Sequence, residues 1–188
     1  MDDRLQRAFD ALDAENADDP HGKELDHARR AVDWVVRLRG DGAPVELLLA
    51  ARGHHVRRWE IPRADEPEGR AGYLRWKRRL QQHHADIVGR VLRDVGYDDA
   101  TVERVQAIVR KERLRSDPDV VTFEDALALV FLETQLRELD ERIADDDHMV
   151  EILVKTLRKM SDDGRAAAAS LAYTDEERAL VERAVAAL

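Results

Sequence analysis

A chain of 188 residues is long enough to bury a sizeable core without covalent staples. It has no cysteine, which excludes disulfides, thiolate metal sites and cysteine nucleophiles. Forty acidic against 31 basic residues leave a net charge of −9, which argues against long nucleic acid as a partner, and the longest apolar run, ALALVFL (Ala126 to Leu132), is too short to cross a bilayer.

The N-terminus, MDDRLQRAFD, carries early acids and no apolar run, so a cytoplasmic protein is expected. Helical periodicity then runs through the chain, with no alternation of β-branched residues. RLQRAFDALDAEN predicts a short amphipathic helix that breaks at Pro20 and Gly22. KELDHARRAVDWVVRLRG follows, with Ala31, Trp34, Val35 and Leu38 on one stripe and Gly40 as the stop. Pro44 suits the first turn of the next helix, VELLLAARGHHVRRWE, which is expected to end before Pro62.

A polar loop leads to a long helix from about Tyr73 to Val95, closed by Gly96. DDATVERVQAIVRKERL starts on an acidic cap. TFEDALALVFLETQLREL opens on a Thr122 cap with Glu124 and Asp125 in its first turn. HMVEILVKTLRKMS and TDEERALVERAVAAL finish the chain, and SDDGRAAAAS reads as a loose joint between them. The expectation is one all-α domain over residues 1–188, of about eight helices, with the helices of 147–188 packing on a 23–140 core.

Ionisable residues on apolar faces are the informative feature. His27 precedes Ala31, Trp34 and Leu38 at spacings of four, seven and eleven, and so joins their stripe. His55 lies seven after Leu48 and four before Trp59, and His84 is four after Leu80 and three before Ile87. Glu112 extends the stripe of Val102, Val105 and Val109, and Glu133 ends the run ALALVFLE. Buried charges need partners, and a shared polar centre satisfies several at once. Imidazole and carboxylate are the ligands of divalent Zn, Mn, Fe or Co, and a helical bundle can aim them at one point.

The order His27, His54-His55, His84, Glu112, Glu133 resembles that of HD-domain phosphohydrolases. That resemblance implies an all-helical fold and metal ligands at His27, His54, His55, His84 and Glu133, with His54-His55 where the family has its His-Asp pair. The strings HVRRWEIPR, RAGYLRWKRRL, RKERLRSDPDVVTFEDALALVFLE and ILVKTLRKMS resemble, over almost the whole chain, the family catalogued as domain of unknown function 4202. This second resemblance implies either a metal set of His55, His84, Glu112 and Glu133 or no metal at all.

Arg57, Arg58 and Arg63 flank the candidate centre, with Lys77 and Arg110 further along, and Arg suits a bidentate grip on phosphate. Glu60 or Glu112 is placed to act as general base. Trp34, Trp59 and Trp76 read as core. Asp145, Asp146, Asp147 and His148 read as an acidic helix start. The function expected is a metal-dependent phosphohydrolase acting on a nucleotide or other small phosphorylated metabolite. The alternatives are a non-catalytic nucleotide- or anion-binding module and a structural or interaction protein.

Overall fold

The computed structural model describes residues 2–188, and its regular elements are all helical. In chain order they are α1 (Asp3–Glu15), α2 (Glu24–Arg39), α3 (Val45–Gly53), α4 (Gly69–Val95), α5 (Asp99–Val109), α6 (Pro118–Thr134), α7 (Leu136–Ile143), α8 (Asp146–Leu157), α9 (Asp162–Ala169) and α10 (Asp175–Ala186). Short 3-10 turns occupy Gly40–Gly42, Arg58–Glu60 and Arg63–Asp65. The described residues thus form ten α-helices where about eight were expected. One extra helix arises because a turn at Gln135 separates α7 from α6. The other is α9, which forms where a loose joint was expected: Ser161 caps it, accepting from the Gly164 N–H, and four alanines favour it.

The chain divides into two compact units, one through Phe123 and one of Glu124–Leu188. The division falls inside the continuous helix α6, so no shift of composition marks it.

In the first unit α3 is the central element. Its sequence, VELLLAARG, is apolar on most sides, and it packs against α1, α2, α4 and α5. Leu47, Leu49, Ala50 and Ala51 are fully buried there. Gly53, its last residue, lies against Val88 of α4: a Cβ at Gly53 would stand 2.4 Å from Val88 Cγ2. Only glycine lets the end of α3 come that close to α4. Gly96 ends α4 in the left-handed region, at φ 95°.

The start of α6 differs from the Thr122 cap read in the sequence. Asp117 accepts the N–H of Asp119, Pro118 takes the first helical position, and Thr122 donates back to the Pro118 carbonyl. Arg104 of α5 fixes this corner with a bidentate grip on Asp117, at 2.5 and 2.9 Å, and a further bond to Asp119 at 2.7 Å. Hydrogen bonding to Arg104 holds the Asp117 carboxyl down at about 2.

The second unit packs α8 against α7 and α10. Asp125 is buried and accepts both the N–H and the hydroxyl of Ser161, at 2.9 and 2.5 Å. Burial pushes its carboxyl above the ordinary range despite those two bonds. Thr174 and Glu177 form a reciprocal capping box at α10, and Asp145 caps α8, as its acidic run led us to expect.

Candidate functional site

Five of the seven histidines and one glutamate gather in the first unit, from the start of α2, the turn after α3 and the middle of α4. Glu24 and His27 lie three residues apart in the first turn of α2 and so share a face. His54 and His55 follow α3, and His83 and His84 sit midway along α4. One ligand atom from each of Glu24, His27 and His55 lies within 4.8 Å of the others. Glu24 Oε2 is 2.9 Å from His55 Nδ1 and 3.8 Å from His27 Nδ1. The rings of His54 and His55 are 4.0 Å apart, and those of His55 and His84 are 5.8 Å apart.

The third helix was expected to continue to Glu60, which would have carried His54 and His55 on a helical face. It stops at Gly53 instead, and a turn presents them. Arg57 ends that turn in the left-handed region at φ 51°, where its N–H donates to Asn16 Oδ1 at 3.0 Å. Asn16 is itself buried, so a satisfied amide from α1's end holds the strained residue. The Arg57 side chain ties Glu15 at 3.4 Å and Glu60 at 2.5 Å.

Three imidazoles are oriented through Nδ1. His54 Nδ1 is 2.8 Å from the Ala51 carbonyl, His84 Nδ1 is 2.8 Å from the Val56 carbonyl, and His55 Nδ1 meets Glu24. A carbonyl or carboxylate oxygen only accepts, so the hydrogen resides on Nδ1 and the lone pair on Nε2. This is the arrangement in which metal-ligating histidines are held by their outer partners. His84 Nε2 is buried and has no hydrogen-bond partner among the described residues.

Electrostatics keep these rings neutral. Burial first, then the neighbouring His55, pushes His84 down to about 3. Burial likewise carries His54 well below its ordinary value, and His55 below its own despite the bond to Glu24. Burial would raise Glu24, but hydrogen bonds from His27 and His55 outweigh it and hold the carboxyl below its usual range. The result is one carboxylate among lone-pair-bearing imidazoles. His55, whose side chain is 25% exposed, is the open side of a cluster in which His27, His54 and His84 are all buried.

The other expected residues distribute unevenly. Arg58 stands at the cluster, its Nε 3.8 Å from Glu24 Oε1 and its guanidinium 5.1 Å from the centre of the Trp76 ring. Glu60 Oε2 is 3.3 Å from His83 Nε2, beside Arg57. Arg63 donates to the carbonyls of Glu66 and Pro67, at 2.8 and 3.1 Å, and so closes its own loop. Lys77 Nζ lies 5.6 Å from the centre of the Tyr73 ring. Arg110 pairs with Glu112 at 2.7 Å.

Two expected positions are corrected. Glu112 was read as the inward continuation of a helical stripe, but α5 ends at Val109 and left-handed backbone at Lys111 (φ 58°) and Arg113 (φ 56°) turns it out of phase. Its side chain is exposed. Glu133, read as the buried end of an apolar run, is exposed on the last turn of α6, within the second unit. Glu24, His83 and Asn16 were not singled out from sequence. For Glu24 a signal existed, because Glu24-Leu-Asp-His27 is the Glu-x-x-His spacing that puts both ligand types on one helix face.

Fold and site together define an all-α protein with a histidine-rich polar centre formed where three helix segments meet. The chain belongs to the family described as domain of unknown function (DUF4202), whose profile matches residues 6–181. No curated protein and no solved structure matches it.

Proposed function

We propose that the chain is a metal-dependent phosphohydrolase of HD-domain-like type, acting in the cytoplasm on a nucleotide or another small phosphorylated metabolite. The observation that carries the reading is the convergence of Glu24, His27 and His55 within 4.8 Å, with the imidazoles of His54, His55 and His84 kept neutral. The residues fit a divalent ion: one carboxylate and several nitrogen donors suit Zn, Mn, Fe or Co, and His84 offers a buried lone pair without a partner. Glu24, His27 and His55 would hold the ion, with His54 and His84 beside them. When bound, it supplies Lewis acidity toward a phosphoryl oxygen and a water nucleophile.

The chain's own groups do the remaining work. Arg58, stacked on Trp76, is pre-oriented to receive a phosphate oxygen at the open side of the cluster. Glu60, at the rim with its Oε2 3.3 Å from the N–H of His83 Nε2, is the group that takes a proton from water, and His83 orients its carboxylate.

Elemental analysis of protein purified without added metal tests this directly. A stoichiometric transition metal is expected, lost in His55→Ala together with turnover of phosphorylated substrates. Metal-free protein whose melting does not respond to Mn, Zn or Co would reject the reading. One observation favours a non-catalytic nucleotide- or anion-binding module instead: Glu60 is already engaged by Arg57 at 2.5 Å. Stabilisation by nucleotide without turnover would select that alternative.

A further inference from the structure

The basic residues of this acidic chain are not evenly spread. From Gly69 to Ala85, the first part of α4, there is no Asp or Glu, while Arg70, Arg75, Lys77, Arg78 and Arg79 all fall there, in a chain of net charge −9. The same segment carries two of the chain's large exposed apolar side chains, Tyr73 at 45% and Leu74 at 42%. The first turns of α4 are covered only narrowly. Gly72 is buried because the loop crosses it, and a Cβ there would lie 1.9 Å from the Pro67 carbonyl oxygen. Leu80 is the next buried residue, and Trp76 lies between them, its indole N–H donating to the Ile61 carbonyl at 2.9 Å.

The cations are partly neutralised at one edge, where Glu66 pairs with Arg75 at 3.1 Å and Arg79 at 2.9 Å. Arg70 and Arg78 are exposed with no acidic partner among the described residues. The aromatics are threaded between charges. Lys77 lies over Tyr73, the Tyr73 and Trp76 rings are 5.8 Å apart, and Arg58 lies over Trp76.

We propose that this face of α4 binds single-stranded nucleic acid, with phosphates on Arg70, Lys77 and Arg78 and an unstacked base against Tyr73. Interleaved cations and accessible aromatic rings are what a single strand needs, since every base offers a π-face to stack and every nucleotide a phosphate to neutralise. A duplex would leave Tyr73 without a base to meet. A membrane-surface helix requires a continuous apolar stripe, whereas here the large exposed apolar side chains are only Tyr73 and Leu74. The acidity that argues against nucleic acid for the chain as a whole repels a polyanion elsewhere and confines binding to this face. The inference stands apart from the metal reading, and its test is run in EDTA.

The experiment is fluorescence anisotropy of the full chain with fluorescein-labelled oligo-uridine and oligo-thymidine at low salt. Anisotropy should rise with protein and fall as salt is added. Arg70→Glu with Arg78→Glu should weaken binding by about tenfold or more. Tyr73→Ala, which leaves every charge in place, should weaken it by about fivefold or more. Circular dichroism of the variants confirms that the helices persist. No binding by the wild type at low salt overturns the proposal. So does unchanged binding by both variants, or equal binding to a duplex of the same sequence. Association with phosphatidylserine vesicles without any oligonucleotide binding overturns it in favour of a membrane surface.

Discussion

The most direct check on the polar centre is the pH dependence of stability in the metal-free protein. His84 titrates at about 3 when folded, against 6.5 for a free imidazole. Below 6.5 the unfolded chain therefore takes up a proton that the folded chain refuses, and stability falls as pH falls. The loss begins near 6.5, continues to about 3, and is absent above the unfolded value. Between about pH 7.5 and about pH 5 this one group removes about 2 kcal/mol, from a slope of about 1.4 kcal/mol per pH unit. His54 and His55 are lowered by the same burial and steepen the slope. His84→Asn keeps a side-chain N–H near the Val56 carbonyl, which His84 Nδ1 now meets at 2.8 Å, but does not titrate. The assay is urea unfolding in EDTA at the two pH values, for wild type and variant. The variant is expected to lose about 2 kcal/mol less than the wild type over that interval. The reading is the difference in slope, so a lower absolute stability of the variant does not confuse it. Equal losses in the two proteins would refute a neutral, desolvated His84.

Three further outcomes follow from the same contacts. Asn16→Ala removes the acceptor for the Arg57 N–H and should cost about 1–3 kcal/mol in urea unfolding, with weakened metal uptake because the His54–Arg57 turn is released. Gly53→Ala should cost about 1–3 kcal/mol, since its Cβ would fall 2.4 Å from Val88 Cγ2, and adding Val88→Ala should recover part of that loss. In the second unit, Ser161→Ala removes the α9 cap and one donor to buried Asp125, and should lower stability by about 1–3 kcal/mol. A double-mutant cycle showing strict additivity for Gly53 and Val88 would contradict the packing described here.

What the sequence disclosed depended on whether the signal was periodic. His27 and His84 lie on unbroken helices, and counting along the apolar stripe put both inside, where they are buried. Glu112 shows the failure of the same count. Its stripe is real to Val109, but the following backbone turns left-handed at Lys111 and Arg113, and nothing in RKER marks the break. His55 is placed by a turn rather than by helical phase, and that turn depends on Asn16, 41 residues before Arg57. A tertiary contact of this kind has no local sequence trace. Glu24 was legible in principle, because its spacing from His27 is helical, but a carboxylate in a first turn is usually explained by the helix dipole alone.

A self-satisfied polar core differs from a site in whether every buried donor and lone pair has a partner. If the inward groups only satisfied one another, each donor and each lone pair would meet a complement within the cluster. Glu24 does so: its carboxylate meets His55 and His27 on one oxygen and Arg58 on the other. The Nδ1 atoms of His54 and His84 do so as well, each on a backbone carbonyl of the same stretch, Ala51 and Val56. What has no complement is the buried Nε2 of His84, whose ring centre lies 5.8 Å from those of both His55 and His83. An unsatisfied buried nitrogen costs about 1–3 kcal/mol, so a core selected only for stability gains by replacing it with an apolar side chain. His84→Leu therefore distinguishes the cases. A purely structural centre tolerates it or is stabilised, whereas a centre that receives a metal ion loses the stabilisation that Zn, Mn or Co otherwise confers.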